Sequence, residues 1–252
     1  MTMQAAFAGS ALSAGFINQF LETQPAEFAY DSYGRIVGIL AGTSGNLLSL
    51  ADTAFLPGIG DWADGTNCTV SLGTYQTIPV LWSVNALIMT SQAAGLMSAG
   101  TAGGTAGVPV TAGPTYTGLA WIEPASTTET CYAQLNFFNS SGVNVGTVNG
   151  TPVAESGWTQ LSSTAVAPTG AAYASLVVVV ENTAAAGEAH HVGFACLSPG
   201  TDLTPIDGQA LLSFIYHTNG QIQEALFMCG GAQAFSARAF TFNAAGQLTG
   251  MA

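Results

Sequence analysis

Short apolar runs of strand length, each bounded by glycine, proline, asparagine or serine, most limit how this chain can fold. Runs of this length and spacing predict an all-β sandwich. The 252 residues, of which 48% are hydrophobic, suffice for one large β domain or for one domain with a smaller companion. The clearest runs are CTVSLG (68–73), AQLNFF (133–138), TQLSSTAV (159–166), YASLVVVV (173–180) and HVGFACL (191–197).

A ten-residue pattern occurs once near the start of the chain and twice near its end. Two aromatic residues at period 2 precede three polar or small residues, a glycine, Arg or Gln, and Ile or Leu. Aromatics at this spacing share one face of a strand, and the glycine suits a turn that needs a positive φ. Each copy therefore predicts a β-hairpin. The aromatic pairs are Phe28 and Tyr30, Phe214 and Tyr216, and Phe240 and Phe242.

The positions of these copies predict that the ends of the chain combine into one small β unit. Residues 1–45 would hold a short helix at residues 11–22, which Pro25 ends, and the first hairpin. Residues 201–252 would supply the other hairpins. Residues 46–200 would be an inserted sandwich, as tolerated where the ends of an inserted domain lie close together. We expect the hairpin unit to be an assembly anchor, and its six aromatic residues to form the contacts.

Charge is scarce and almost entirely negative. Charged residues make up 6% of the chain, the net charge is -12, and Arg35 and Arg238 are its only Lys or Arg residues. Binding to nucleic acid is excluded on this ground, because it needs clustered basic side chains. An anionic membrane surface would repel the chain, and the longest apolar run, Leu176–Val180, is too short to span a bilayer. Residues 1–15 lack a basic segment, so we expect no signal peptide.

Neither the cysteines nor the histidines predict a metal site or another cofactor site. No cysteine belongs to a CxxC pair or lies at ligand spacing from a histidine. The sequence does not decide whether disulfides form or which cysteines they would join, because four cysteines allow three full pairings. His190 and His191 point to opposite faces of a strand and cannot bind one metal together, so we expect surface or edge-strand histidines. The cysteines are Cys68, Cys131, Cys196 and Cys229.

Six segments of residues 46–198 follow one another in an order known from a family of β domains. They are Asn46–Leu48 with Phe55 and Gly60–Trp62, then Val108–Trp121, Leu135–Gly142, Gly157–Leu161, Ala167–Ala172 and His191–Leu197. The region resembles the jelly-roll carbohydrate-binding modules that accompany glycoside hydrolases, and similar domains occur on phage tail and other virion proteins. The resemblance implies a jelly-roll β-sandwich.

The resemblance also indicates where this chain departs from the family. Members carry a Glu soon after the opening Phe and an Asp in the last strand, and both contribute to a structural calcium site. Here Leu56 and Pro57 follow the Phe, and Gly193 replaces the Asp. The calcium site is therefore expected to be lost, or to be built from other groups such as Asp52.

Aromatic side chains are the residues a sugar site would use, since a planar ring stacks on a pyranose and nearby polar groups bind its hydroxyls. Trp62 and Trp82, in polar loops, are the candidates, with Asp61 and Asp64 beside the first. In the family the positions of Trp121 and Trp158 usually pack in the core or at an edge. No carboxylate pair and no Gly-x-Ser-x-Gly motif indicates catalysis.

These features together predict a phage virion structural protein rather than an enzyme. It would lie at the tail or on the capsid surface, where the jelly roll contacts a cell-surface glycan or neighbouring subunits. Other virion proteins would be its partners, and we expect a homotrimer or another symmetric oligomer. A secreted carbohydrate-binding protein and a glycan depolymerase are the alternatives.

Overall fold

The structure, a computed structural model, describes residues 26–42, 45–74, 85–124, 128–201, 209–216, 220–229, 234–242 and 248–251. The helix predicted at residues 11–22 lies outside this part of the chain. Within it, no helix is long and apolar enough to cross a membrane. The chain divides into two compact units, a hairpin unit of residues 1–44 and 206–252 and a sandwich unit of residues 45–205. The predicted roles of the two parts, as anchor and binding domain, stay predictions.

The described residues are almost entirely β-structure, as the sequence predicts. The helix α1 spans Leu50–Ala54, and a short 3-10 turn spans Gly104–Ala106. The strands are β1 (Ala26–Tyr30), β2 (Ile36–Gly42), β3 (Ala63–Asp64), β4 (Cys68–Thr74), β5 (Asn85–Ser91), β6 (Gly95–Gly100), β7 (Val108–Pro109), β8 (Thr115–Pro124), β9 (Thr130–Phe138), β10 (Asn144–Asn149), β11 (Val153–Ala154), β12 (Thr159–Val166), β13 (Tyr173–Thr183), β14 (Ala189–Pro199), β15 (Gln209–Tyr216), β16 (Ile222–Cys229), β17 (Ala234–Phe242) and β18 (Leu248–Met251).

The hairpin unit is one antiparallel sheet in the order β1-β2-β15-β16-β17-β18. In each of its repeat hairpins the second aromatic residue pairs with the branched residue six positions later, and the register shifts just before that aromatic. Strand β2 pairs with β15, so segments from the two ends of the chain share this sheet. The aromatic hairpins predicted from the repeat are confirmed. The pairs are Tyr30 with Ile36, Tyr216 with Ile222, and Phe242 with Leu248.

The sandwich unit has the strand order of a jelly roll. One sheet has five strands in the order β12-β8-β14-β5-β4, and the other has seven, with β10-β9-β13-β6-β3 as its path and β11 and β7 as short additions. In chain order, the seven strands β5, β6, β8, β9, β12, β13 and β14 lie alternately in the five-stranded and the seven-stranded sheet. This interleaving distinguishes a jelly roll from a meander. All pairings are antiparallel.

The core lies between the two sheets and consists of the inward residues of alternating strands. Burying each large aliphatic or aromatic side chain contributes about 1.5–3 kcal/mol. Leucine side chains of one sheet pack directly against Gly118 of the other, where an added Cβ would lie 2.7 Å from Leu176 Cδ1 and 2.8 Å from Leu135 Cδ2. Only glycine fits there without repacking. The inward set includes Met97, Cys131, Leu135, Phe137, Leu176 and Val178 from one sheet and Leu87, Met89, Ile122, Leu161, Val192 and Leu197 from the other.

The start of the sandwich unit lies beside its last strand. The backbone N–H of Leu47 donates to the carbonyl of Leu197 at 2.7 Å, and a Cβ on Gly45 would come within 3.3 Å of Pro199 Cδ. Ser49 then caps α1, because its hydroxyl oxygen accepts the N–H of Asp52 at 3.1 Å. The first residues of the unit therefore lie close to the end of β14.

Candidate functional site

Trp62, predicted as a sugar-stacking residue, lies in the core. Its side chain is 3% exposed, and its indole meets the ring of Phe55 edge-on, with centroids 6.1 Å apart. Its Nε1–H donates to the carbonyl of Asp52 at 2.9 Å. An indole held in this way has no face free for a pyranose, so the structure differs from the prediction. Trp82, the other predicted tryptophan, lies outside the described residues.

Asp61 and Asp64 are exposed, and both stabilise the loop around Trp62. The backbone N–H of Asp61 donates to Asp52 Oδ1 at 2.6 Å, and Asp64 Oδ1 accepts the N–H of Val70 at 2.7 Å. Ligand binding by these two carboxylates stays a prediction.

Asp52, the alternative calcium ligand, is buried and bound by donors of the protein itself. Its Oδ2 accepts the hydroxyl of Ser49 at 2.7 Å, while its Oδ1 accepts the N–H of Asp61. Burial raises the pKa of this carboxyl, and the hydrogen bonds from Ser49 and Asp61 partly offset that rise. The hydrogen bonds show how Asp52 organises the loop that follows α1.

The outward face of the five-stranded sheet brings together polar and aromatic side chains that the sequence did not single out as a group. We call Trp121, Glu123, Trp158, Gln160 and His191 the tryptophan face. Register puts Gln160 opposite Trp121, and Glu123 opposite His191, while Trp158 immediately precedes β12. These residues alternate with the inward residues of the same strands, so they lie on the side away from the core. Both tryptophans are half-buried.

A bulge in β14 fixes the position of Trp158. The register of β14 shifts between Val192 and Phe194, which leaves Gly193 as the extra residue. A Cβ on Gly193 would lie 2.7 Å from both Cη2 and Cζ3 of Trp158, so the six-membered ring of the indole rests on the glycine. Gly193 is thus the place where an aromatic ring crosses the strand.

The polar groups of the tryptophan face suit an uncharged, hydroxyl-rich ligand. Oε2 of Glu123 is buried and has no hydrogen-bond partner among the described residues. Burial, and then the nearby His190, lower the pKa of His191, so its imidazole is neutral near pH 7. Aromatic rings, a carboxylate oxygen, an amide and a neutral imidazole are the groups that stack on pyranoses and bind hydroxyls.

The histidines differ from the prediction of a surface or edge location. Both are buried, and β14 is a central strand of its sheet. His190 points into the sandwich, where Nδ1 lies 3.0 Å from Glu155 Oε1 and Nε2 lies 3.1 Å from Glu188 Oε1. The prediction that the two rings point to opposite faces is confirmed. The contact between Glu155 and His190 could not be predicted from the sequence, because the two residues are 35 positions apart.

The predicted assembly residues all lie in the hairpin sheet. On its edge strand β1, the rings of Phe28 and Tyr30 have centroids 6.5 Å apart, and Tyr30 is 50% exposed. Tyr216 is half-buried, and its hydroxyl donates to the carbonyl of Ile36 at 2.6 Å. Strands β15 and β17 hold the other aromatics, whose side chains are outside the described part: Phe214, Phe240 and Phe242. Assembly through these residues stays a prediction.

The described cysteine side chains are buried thiols, at Cys68, Cys131 and Cys196. Burial raises the pKa of Cys68 to about 11 and raises that of Cys131 further. A thiol that stays protonated in this way is a weak nucleophile.

No known protein family and no curated protein matches this chain, whereas several solved structures do. The enzymatically active domain of tailspike protein 4 from bacteriophage CBA120 is 15% identical, with a TM-score of 0.45 over 62% of this chain and 21% of that chain. The C-terminal family 22 carbohydrate-binding module of Clostridium thermocellum Xyn10B is 14% identical, with a TM-score of 0.44 over 64% of this chain and 99% of that module. A xylan-binding family 22 module is 15% identical, with a TM-score of 0.42 over 60% and 95%.

Carbohydrate-binding modules are thus among the structures to which this chain is similar, as the sequence resemblance predicts. The chain spans about a fifth of the tailspike chain. Similarities at these identities and TM-scores carry no conclusion about what this chain binds.

Proposed function

We propose that this chain is a non-catalytic attachment protein whose jelly roll binds a glycan through the tryptophan face. The observation that carries the proposal is the half-buried pair Trp121 and Trp158 beside Glu123, whose buried Oε2 has no partner among the described residues. A buried acceptor without a hydrogen bond is costly, and a ligand hydroxyl would satisfy it. The rings supply the apolar surface against which a pyranose stacks.

We further propose that the protein belongs to the virion of a tailed phage, at the tail or on the capsid surface. Charge depletion and the repeated hairpin unit, features of a surface covered by neighbouring subunits, support this location. Mass spectrometry of purified virions tests it directly. Recovery of the chain only from the medium of a producing cell would instead favour a secreted carbohydrate-binding protein.

Glycan binding is tested by titrating the protein with a panel of soluble oligosaccharides from plant cell walls and bacterial surface polysaccharides. Tryptophan fluorescence and calorimetry are the measurements. All tryptophans of the chain belong to the sandwich unit, so the fluorescence signal reports on that unit alone. A saturable change with at least one oligosaccharide is expected. No binding across the panel at millimolar concentrations would contradict the proposal.

Variants locate the site on the tryptophan face. Trp158→Ala removes a stacking ring and Gly193→Ala displaces it, so each should weaken binding about tenfold or more. Glu123→Gln keeps side-chain size and should weaken binding through the lost acceptor. Gly58→Ala is the matched control, because a Cβ there meets open space and no positive φ is involved. Unchanged affinity in folded Trp158→Ala and Glu123→Gln proteins would overturn the assignment.

Absence of catalysis is a separate part of the proposal. Incubation of the protein with each bound polysaccharide, followed by an assay for new reducing ends, should give no product above a protein-free control. Product formation that Asp61→Asn abolishes would favour a glycan depolymerase.

A further inference from the structure

Three side chains of different chemistry meet in the interior of the sandwich. Sγ of Cys131, a carboxylate oxygen of Glu155 and a ring nitrogen of His190 all lie within 4.8 Å of one another. Cys131 belongs to β9, Glu155 follows β11, and His190 belongs to β14. The three are essentially inaccessible to solvent. Since β9 and β14 lie in different sheets, the cluster joins the two layers of the sandwich.

A fourth side chain orients the imidazole of this cluster. Nε2 of His190 lies 3.1 Å from Glu188 Oε1, and Nδ1 lies 3.0 Å from Glu155 Oε1. If Nε2–H donates to Glu188, the lone pair of Nδ1 faces Glu155 and Cys131. A carboxylate that accepts the outer N–H of a histidine is the usual support of a metal-bound imidazole. The backbone N–H of Glu129 donates to Glu155 Oε2 at 3.3 Å and steadies the second carboxylate.

We propose that Cys131, Glu155 and His190 bind a zinc ion, with Glu188 as the residue that positions the imidazole. Thiolate, imidazole and carboxylate are the ligands that zinc takes in proteins, and a thiolate disfavours magnesium and calcium. Ligand atoms of a tetrahedral zinc site lie roughly 3.3–3.7 Å apart, which follows from metal–ligand distances of about 2.0–2.3 Å. Small side-chain movements within the 4.8 Å cluster reach this spacing.

Zinc would replace protons in this cluster. A zinc-bound cysteine is a thiolate and a zinc-bound histidine is a neutral imidazole, so zinc binding releases the protons that these two groups hold. The metal would cross-link the sheets by coordinate bonds instead of hydrogen bonds.

Cobalt(II) is the spectroscopic probe for this site. The full-length protein, stripped with a chelator and dialysed, should bind one Co²⁺, with a thiolate-to-cobalt charge-transfer band and the intense visible bands of tetrahedral Co²⁺. One equivalent of Zn²⁺ should abolish these bands, whereas a large excess of Mg²⁺ should not. Calorimetry in buffers of different ionisation enthalpy should give release of at least one proton per zinc ion, because the thiol of Cys131 must become a thiolate.

Matched variants distinguish metal binding at this cluster from metal binding at surface carboxylates. Cys131→Ser should lose the charge-transfer band, while Cys68→Ser, which removes another buried thiol, should keep it. Glu188→Gln should weaken zinc binding about 10–100-fold through loss of the positioning contact. Glu181→Gln, at an exposed position on β13, should leave it unchanged.

Thermal unfolding of the wild-type protein keeps the proposal falsifiable if Cys131→Ser fails to fold. Saturating Zn²⁺ should raise the midpoint detected by tryptophan fluorescence by about 5 °C or more. Absence of the charge-transfer band, together with an unchanged midpoint, would show that the cluster is a metal-free ion-pair network and would overturn the proposal. Neither outcome depends on glycan binding, so this proposal can fail without the proposed function.

Discussion

His190 is the residue whose surroundings most depart from what its sequence context indicates. Burial opposes its charged form, but hydrogen bonds and charges of Glu155, then of Glu188, outweigh burial and raise its pKa above the ordinary 6.5. A raised histidine pKa means that the fold favours the protonated ring. Its contribution to stability is complete below about pH 6.5 and is lost as pH rises through the raised pKa.

The metal-free sandwich should therefore become less stable as pH rises above about 6.5, the ordinary pKa of histidine. Below that pH His191 acts in the opposite sense, because burial lowers its pKa, and near the ordinary pKa of cysteine the unfolded cysteines begin to ionise. Urea denaturation in the presence of chelator, followed by tryptophan fluorescence, measures the free energy of unfolding at each pH. His190→Gln should flatten the dependence, and a wild-type profile without slope would contradict this prediction.

Arg35, one of the two Lys or Arg residues in the chain, contacts both a carboxylate and an aromatic ring. Its guanidinium pairs with Asp31 at 2.6 Å and lies 4.5 Å from the centroid of the Tyr216 ring. Burial opposes ionisation of Asp31, but hydrogen bonds from Arg35 and Tyr33 and the charge of Arg35 outweigh it and lower the pKa of Asp31. Burial raises the pKa of Tyr216 to about 12. The stacked ring belongs to β15 and the arginine immediately precedes β2. The contact therefore links the two ends of the chain.

At the scale of the elements, the turn glycines of the repeat hairpins have a conformational role. Gly34 and Gly220 have φ angles of +74° and +84°, and a Cβ at either would meet nothing within 4 Å. Any penalty for alanine there is therefore backbone strain and not a steric clash. Each Gly→Ala change should destabilise the hairpin unit by about 1–2 kcal/mol.

Hydrogen exchange measured by mass spectrometry checks this prediction. Amides of residues 26–42 and 209–229 should exchange faster in Gly34→Ala and Gly220→Ala, while tryptophan-detected unfolding of the sandwich stays the same. Ser32→Ala, at an exposed position of the first turn without a positive φ, is the control and should exchange like the wild type. Equal exchange in all variants would mean that the turns do not need the left-handed region.

At the scale of the whole molecule, the sandwich is self-contained. Its buried core cluster lies within residues 45–205, and Leu47, near the start of the unit, donates its backbone N–H to Leu197 on β14. We expect a fragment of residues 45–205 to fold alone, with the β circular dichroism and tryptophan emission of the intact sandwich. The hairpin unit is discontinuous in sequence, so neither of its halves should fold alone. An unfolded 45–205 fragment would show that the sandwich needs the hairpin unit.

The sequence by itself determined the fold class and the repeat hairpins. The alternation of apolar residues predicts which segments form strands, and the aromatic–glycine spacing of FAYDSYGRIV predicts a local turn. Both patterns are local in sequence, so neither prediction needs to know which distant residues will be in contact. The jelly-roll order followed from a resemblance spread over six segments.

Only the tertiary structure decided which side chains face one another. Trp62 stands in a polar loop but is buried against Phe55, while Trp121 and Trp158, predicted to pack, lie half-buried on an outward face. Cys131 and His190 are 59 positions apart in the sequence, yet they converge with Glu155 inside the sandwich. Strand register and sheet packing decide which side chains come into contact. A one-residue shift in register, such as the bulge at Gly193, moves the following side chains to the opposite face of the sheet.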